Sequence, residues 1–226
     1  MKLIQFAIIL FSGLSVFAQD NLQTKVVDSL YREDHFYVGL GYNSIHEYPP
    51  GLSQTGFSLA LRGGYLRDIP LNKKRTFAIA PGIGLSYKSY NQNLKITKEN
   101  NQFIYEIGSN SQLGKNRLST YMVEIPIEIR WRNSTPDSHR FFRVYSGFSV
   151  GYVFYDVYLS ERTGVKIKSN DDLNKIQYGA YIATGYNMWN IYAYYGLNSL
   201  YKSSAKIDGK TVEMSTFTIG LIFYIL

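Results

Sequence analysis

The sequence contains no cysteine, and this absence excludes several kinds of chemistry. A chain without thiols forms no disulfide, holds no cysteine-ligated metal and offers neither a thiol nucleophile nor a cysteine for lipid attachment. Proline is also rare, with 6 residues in 226. The fold must therefore be held together by packing, backbone pairing and ionic contacts.

The sequence also lacks an apolar run of the roughly 20 residues that a membrane-spanning helix needs. A shorter apolar segment, residues 3–14, follows Lys2, and Val16, Phe17 and Ala18 come before a polar stretch. A positive start, a short apolar centre and a small residue at the end are typical of a secretory signal peptide. We predict a signal peptide over residues 1–18, a periplasmic N-terminal lead-in over residues 19–35 and an exported domain over residues 36–226.

A concentrated block of charge is missing too. The formal net charge is +7, but the lysines and arginines are spread along the chain and no basic block with stacking aromatics occurs. We therefore expect no nucleic-acid partner. Asp171 and Asp172 lack the spaced carboxylates and the glycine of a calcium loop, so no metal site is expected.

Apolar and polar residues alternate strictly along parts of the sequence, and this alternation is clearest in residues 118–132. The odd positions of this segment are apolar: Tyr121, Val123, Ile125, Ile127, Ile129 and Trp131. The even positions carry Glu124, Glu128, Arg130 and Arg132. A period of two predicts a β-strand with one apolar and one charged face.

Eight strand-like segments of this kind follow one another: residues 36–43, 56–66, 77–90, 118–132, 141–158, 176–186, 191–199 and 215–226. In the fifth segment we expect Phe154 on the apolar face and Tyr155 on the opposite one. Pro126 removes a backbone donor in the middle of the fourth segment, which predicts a bulge or a bend there.

Short and long connections alternate between these segments. The short ones are residues 67–76, 133–140 and 187–190, and the long ones include residues 91–117 and 159–175. This alternation is typical of outer-membrane barrels. The sequence therefore predicts an all-β fold, an eight-stranded antiparallel up-and-down transmembrane β-barrel with short periplasmic turns, longer outer loops and both termini periplasmic. A soluble Greek-key sandwich explains the faces but not the loop lengths.

This architecture assigns places to several polar and aromatic residues. Trp131 and Trp189 are expected at the periplasmic rim, where aromatic girdles lie. Six charged residues are expected in the barrel interior: Arg62, Lys88, Glu124, Glu128, Arg130 and Arg143. Because isolated buried charges are costly, we expect them to be paired, with Glu128 near Arg143. A proton or ion path through these residues is the alternative.

The first short turn is unusually basic. Its residues Arg67, Asp68, Pro70, Asn72 and Lys73 form either a solvated turn or a docking point for a periplasmic partner or peptidoglycan.

The chain resembles the PorT proteins of the type IX secretion system of the Bacteroidetes. The resemblance covers nearly the whole mature chain and is carried by residues 31–37, the turn 67–72, residues 90–94, the segment 123–132 with 134–136, and the ending 220–226. It implies an outer-membrane component that is needed for cargo secretion and, in gliding species, for surface motility. Other secretion components and outer-membrane lipid are the implied partners, and no catalytic residue or cofactor comes with it.

Two other functions remain to be weighed. A surface binding or adhesion barrel would use the outer loops, and a lipid-modifying or protein-cutting enzyme would need a catalytic centre. The histidines are His35, His46 and His139. His46 has a serine and an acid close by in the sequence, Ser44 and Glu47, which are the residue types of a Ser-His-acid catalytic triad. We expect no enzyme and no small-molecule substrate. An eight-stranded barrel is also too narrow to pass a folded protein, which predicts an accessory role rather than a conduit.

Overall fold

The computed structural model describes residues 34–100, 102–108, 116–133, 142–161 and 163–225. All of them fall within one compact unit, Arg32–Leu226. The predicted signal peptide, His139 and all of the predicted lead-in before Asp34 lie outside the described residues. The described strands are β1 His35–His46, β2 Leu59–Leu66, β3 Ile69–Pro70, β4 Phe77–Gln92, β5 Leu94–Glu99, β6 Gln102–Ile107, β7 Asn116–Arg132, β8 Phe142–Ser160, β9 Lys166–Lys168, β10 Ile176–Tyr186, β11 Trp189–Gly196, β12 Lys206–Ile207, β13 Lys210–Thr211 and β14 Ser215–Ile225.

Eight of these strands close into a barrel. Each pairs antiparallel with the next in the order β1, β2, β4, β7, β8, β10, β11 and β14, and β14 returns to pair with β1 from Phe36 opposite Ile225 to His46 opposite Ser215. Closure leaves these strands no free edge, so every strand finds a backbone partner on both sides. The prediction of an eight-stranded up-and-down barrel is confirmed. No helix among the described residues is long and apolar enough to cross a membrane.

The wall of the barrel is apolar outside and polar inside. On β7 the odd-numbered side chains from Ile125 to Trp131 are exposed, whereas Glu124, Glu128 and Arg130 are buried. A water-soluble protein would place these two faces the other way round. An apolar outer band around a polar interior is what a lipid-facing barrel requires.

The bulge in the wall lies elsewhere than predicted. The register between β7 and β8 shifts between Tyr121 and Met122, while Pro126 keeps a regular partner, Ser149, on β8. The bulge adds one residue to β8, so Tyr155 joins Phe154 on the outer side, and its ring lies 5.5 Å from that of Tyr121. The predicted inward position of Tyr155 is therefore wrong, because an extra residue reverses the alternation of a strand.

The two ends of the barrel differ. One end carries the three short connections together with the start of β1 and the end of β14, and we call it the turn end. The opposite, loop end carries the four long connections. The predicted alternation of short and long connections is confirmed.

The long loops at the loop end share an apolar core. The β1–β2 loop, the β5–β6 hairpin, the segment around β9 and the loop around β12 and β13 pack together over the loop end. Their shared apolar core consists of Leu52, Leu94, Ile96, Tyr105, Ile167, Leu173, Leu200, Tyr201, Ala205, Val212 and Met214, joined to Ile45, Tyr90, Leu118, Met122, Val153 and Tyr158 of the barrel strands. Burial of this core gives the loops a fixed arrangement above the barrel.

Candidate functional site

The middle of the barrel interior holds an ion pair surrounded by tyrosine rings. Arg62 Nη2 on β2 donates a 2.9 Å hydrogen bond to Glu124 Oε2 on β7, and both side chains are more than nine-tenths buried. Arg62 Nη1 donates to the hydroxyl of Tyr192. The guanidinium carbon lies 5.2, 4.9 and 4.9 Å from the ring centroids of Tyr37, Tyr181 and Tyr192. A carboxylate and three ring faces together replace the water that the guanidinium has lost.

A second cation lies in the same layer. Lys88 on β4 is buried, and its ammonium nitrogen lies 3.9 Å from the ring centroid of Tyr194. Lys88, Arg62 and Glu124 line a cavity of about 20 Å³. A space of this size holds about one water molecule. The interior at this level is therefore filled by side chains.

A larger polar cluster fills the turn end, and Glu128 lies at its centre. Its Oε2 accepts a 2.9 Å hydrogen bond from Arg130 Nε. Its Oε1 accepts hydrogen bonds from the hydroxyls of Tyr181, at 3.1 Å, and Tyr224, at 3.0 Å. One carboxylate thus links β7 to β10 and β14 across the interior. Three donors therefore satisfy the hydrogen-bonding capacity of this buried carboxylate.

Asp68 completes this cluster from the turn between β2 and β3. Its Oδ1 accepts hydrogen bonds from Arg130 Nη1 at 3.0 Å and Arg132 Nη1 at 2.9 Å, and its Oδ2 accepts one from Arg132 Nη2 at 2.8 Å. All three side chains are 0% exposed. Burial by itself would raise the pKa of Asp68, but the hydrogen bonds and charges of Arg132 and Arg130 outweigh it and hold that pKa below its ordinary value.

The placement of Asp68 corrects the expectation that it is exposed, whether in a solvated turn or at a docking point. The sequence places Arg130 and Arg132 on the inner face of β7, where Glu128 is their only acidic neighbour on the strand. Two buried guanidinium groups with one carboxylate would leave an uncompensated charge. Asp68 supplies the second carboxylate by turning into the barrel.

All six residues predicted for the interior network do lie inside the barrel: Arg62, Lys88, Glu124, Glu128, Arg130 and Arg143. The predicted pairing of Glu128 with Arg143 is wrong. The residue opposite Glu128 on β8 is Gly147, whereas Arg143 lies opposite Arg132. The Glu128–Gly147 pair and the Arg132–Arg143 pair are four residues apart along the strands, which is about 13 Å. Arg143 instead packs against the rings of Tyr145 and Tyr224, at 5.7 Å from each centroid.

The sequence reasoning missed three of the tyrosines that surround the charges. Tyr181, Tyr192 and Tyr194 are buried and face the interior from β10 and β11. Their signal was present, because each occupies the polar, inward parity of its strand. Asp68, by contrast, lies outside a regular strand, and alternation assigns it no face.

The other residues of the first turn are at the surface or hold its shape. Arg67 and Lys73 are exposed. The Asn72 amide oxygen accepts a 3.2 Å hydrogen bond from the backbone of Phe77, and its nitrogen donates to Thr76 Oγ1 at 2.8 Å. Pro70 pairs with Ala78 on β4. Of the five residues proposed for docking, only Arg67 and Lys73 present charge outward.

Trp131 and Trp189 both lie on the outer surface at the turn end. Trp131 packs edge-on against Phe142, with centroids 6.3 Å apart, and Trp189 against Phe223, at 5.1 Å. Both rings are exposed. Amphipathic rings at one rim of a barrel are placed where the apolar band meets the polar membrane surface.

The loop end carries an open groove of about 1040 Å³. It lies between the β1–β2 loop, β6 and the β12–β13 hairpin. Its walls contain four acids and one lysine, namely Glu47, Glu106, Asp208, Glu213 and Lys210, together with Tyr48, Pro49 and Tyr105. Burial raises the pKa of the Tyr105 hydroxyl, with hydrogen bonding to Asp172 and the charge of that carboxylate adding to the shift. The groove is far larger than the interior cavity beside Lys88.

The candidate catalytic trio does not assemble. Ser44 donates a hydrogen bond to Gln54 Oε1 at 3.2 Å, Glu47 accepts one from Ser215 at 3.1 Å, and the His46 ring stacks on Tyr195 at 4.2 Å. Each of these three side chains therefore contacts a residue outside the trio: Gln54, Ser215 or Tyr195. Within the described ranges, no three His, Asp or Glu side chains are grouped to hold a metal ion.

A family model for the outer membrane protein beta-barrel domain matches residues 17–202. The match spans most of the sequence. The chain belongs to this family. Membership agrees with the closed barrel, its apolar outer band and its rim aromatics, and it indicates an outer-membrane location.

Individual known proteins are more distant from this outer-membrane barrel. No curated protein matches it. Ail, the attachment invasion locus protein of Yersinia pestis, solved with the heparin analogue sucrose octasulfate, is 12% identical with a TM-score of 0.35, over 87% of this chain and 100% of that chain. A mutant of the Rh. blastica porin is 8% identical with a TM-score of 0.15, over 86% and 100%. Neither likeness bears on function.

Proposed function

We propose that this outer-membrane barrel is a non-enzymatic accessory component of the type IX protein secretion machinery. In this role it helps to assemble or stabilise a larger translocon. The proposal rests on the resemblance to PorT proteins, whose matching residues include the turn 67–72 and the wall segment 123–132. Its specific partners would be a larger translocon barrel or periplasmic subunits of the same machinery.

The observation that carries the accessory role is the filled interior. Glu128, Arg130, Arg132 and Tyr145 are at most 1% exposed, although all four point into the barrel. Side chains that line a water-filled channel keep part of their surface accessible. A barrel filled in this way has no space for an unfolded chain, still less for a folded cargo protein.

We place the turn end and both chain termini in the periplasm. Barrels of the outer membrane generally have short periplasmic turns and longer outer loops. In this orientation the packed loops and their acidic groove face outward. Labelling an added cysteine in the β10–β11 turn, at Asn187→Cys, with an impermeant reagent on whole cells tests this directly, because labelling without permeabilisation would reverse the orientation.

Deletion of the gene followed by comparison of the secreted proteins tests the proposed role. We expect broad loss of secreted cargo, restored by the wild-type chain. An unchanged set of secreted proteins would refute the secretion role.

A second candidate function is surface binding or adhesion, and the outward groove favours it. An open space of about 1040 Å³ within rigidly packed loops is a suitable recognition surface. In the deletion strain this function predicts intact secretion with altered adhesion. The same experiment therefore separates the two candidates.

A further inference from the structure

The outer face of the turn formed by residues 67–76 extends the lipid-facing wall of the barrel. β3 pairs antiparallel with β4, placing Ile69 opposite Ile79. The side chains of Ile69, Leu71 and Phe77 are 46%, 65% and 47% exposed. This apolar strip is continuous with the outer band at Trp131, which lies opposite Phe77.

The exposed charged side chains within residues 67–76 are all positive, and the half-buried carboxylate of Asp34, directly before β1, accepts a 2.8 Å hydrogen bond from the backbone of Asp68. Arg67, Lys73 and Lys74 are exposed. The one acid of the turn, Asp68, is buried against Arg130 and Arg132 and neutralises nothing outside. Basic side chains directly beside an exposed apolar strip match the boundary between phosphate head groups and acyl chains.

The turn is also held in one shape. Leu71 donates a 2.8 Å backbone hydrogen bond to Phe77, and Arg75 donates one of 3.0 Å to Asn72. The backbone of Arg132 donates to Thr76 at 2.9 Å, which ties the turn to β7. A surface that is already ordered loses little conformational entropy when it binds.

We propose that this turn binds the head groups of anionic glycerophospholipids in the leaflet that surrounds the turn end. Lys73 and Lys74 contact the phosphates, while Ile69 and Leu71 lie among the first carbons of the acyl chains. The leaflet is the periplasmic one, which rests on the orientation proposed above. The bound lipid belongs to the protein's own membrane environment and requires no secretion partner.

The test compares the Lys73→Gln/Lys74→Gln variant with Lys166→Gln/Lys168→Gln, an equal loss of charge at exposed positions of the loop end. Each purified barrel is placed in nanodiscs that contain phosphatidylglycerol and phosphatidylethanolamine, and the lipid retained is measured by native mass spectrometry. Because one basic residue near an anionic surface contributes about fivefold in affinity, we expect about a 25-fold weaker preference for phosphatidylglycerol in the turn variant. The loop variant should match the wild type, and Lys73→Arg/Lys74→Arg should retain the preference.

Equal preference in the two glutamine variants would overturn the proposal. Stronger retention of added lipid A than of phosphatidylglycerol would overturn the choice of glycerophospholipid. Reduced secretion with unchanged lipid preference would assign the turn to a protein partner instead. Lipid retention is measured on the isolated barrel. Its result therefore tests lipid binding by the turn independently of the proposed secretion role.

Discussion

Replacement of Glu124 by glutamine tests whether the interior ion pairs hold the barrel together. The substitution keeps the shape of the side chain but leaves Arg62 and Lys88, both buried, beside a neutral partner. Removal of one member of a buried pair typically costs about 3–5 kcal/mol, because the remaining charge has lost both water and counter-charge. We expect Glu124→Gln to lower the free energy of unfolding by about this amount.

Glu106→Gln is the matched control. Glu106 pairs with Lys95 at 2.7 Å, a distance similar to that of Arg62 and Glu124, but the pair lies in the β5–β6 hairpin with 56% and 32% of the two side chains exposed. A pair of this kind contributes at most about 1 kcal/mol. Urea unfolding of both variants refolded into lipid vesicles, followed by tryptophan emission, measures the difference. A loss below about 1 kcal/mol for Glu124→Gln would refute the reasoning.

Three further predictions concern acid, close packing and conduction. Because the pKa of Asp68 is depressed in the folded protein, the stability that Asp68 contributes is present above about pH 4 and is lost as the pH falls through its folded-state pKa. Asp68→Asn should therefore be less stable than the wild type at pH 7 and should lose less stability on acidification. Equal loss of stability on acidification in the two proteins, measured by urea unfolding at several pH values, would contradict this. Gly84→Ala should prevent refolding, because the new methyl group overlaps the Tyr37 hydroxyl and lies 2.7 Å from the Gly63 carbonyl oxygen. Gly151→Ala is the control, because the atom nearest to its new methyl group is 3.6 Å away, and it should refold normally. Gel mobility measures refolding of both variants. The purified barrel should show no stable conductance in planar bilayers, since side chains fill its interior; porin-like current steps would contradict the filled interior.

The barrel wall could be predicted from the sequence because its physics is local. Alternation fixes which side of a strand each residue faces, and the lengths of the connections fix the order of short turns and long loops. The even positions of residues 118–132 thus identify Glu124, Glu128 and Arg130 as interior residues by alternation alone. Closure of β14 on β1 then follows from the need to pair every edge.

The contacts between strands could not be predicted in the same way. Whether Glu128 meets Arg143 depends on the register between β7 and β8, which alternation does not specify. The bulge beside Tyr121 reversed the expected side of Tyr155 and has no marker as visible as Pro126. Asp68 was assigned to the surface because turns usually carry exposed charge, whereas its position is decided by two arginines far along the chain.

The loop end was the least predictable part. Its apolar residues, such as Leu94, Ile96 and Leu173, are widely separated in polar segments and show no common period. They meet only because the four long loops fold over the barrel together. The groove at this end is therefore a property of tertiary packing.

The most direct test of the account is crosslinking of the chain in its native outer membrane, followed by purification and identification of the proteins attached to it. A filled barrel that serves secretion only through a larger translocon should be recovered covalently bound to another outer-membrane or periplasmic component of the secretion machinery. A photoreactive residue in place of buried Tyr145 should give no such product, since that position faces the interior. Recovery of the barrel without any secretion component, from cells that secrete normally, would contradict the account.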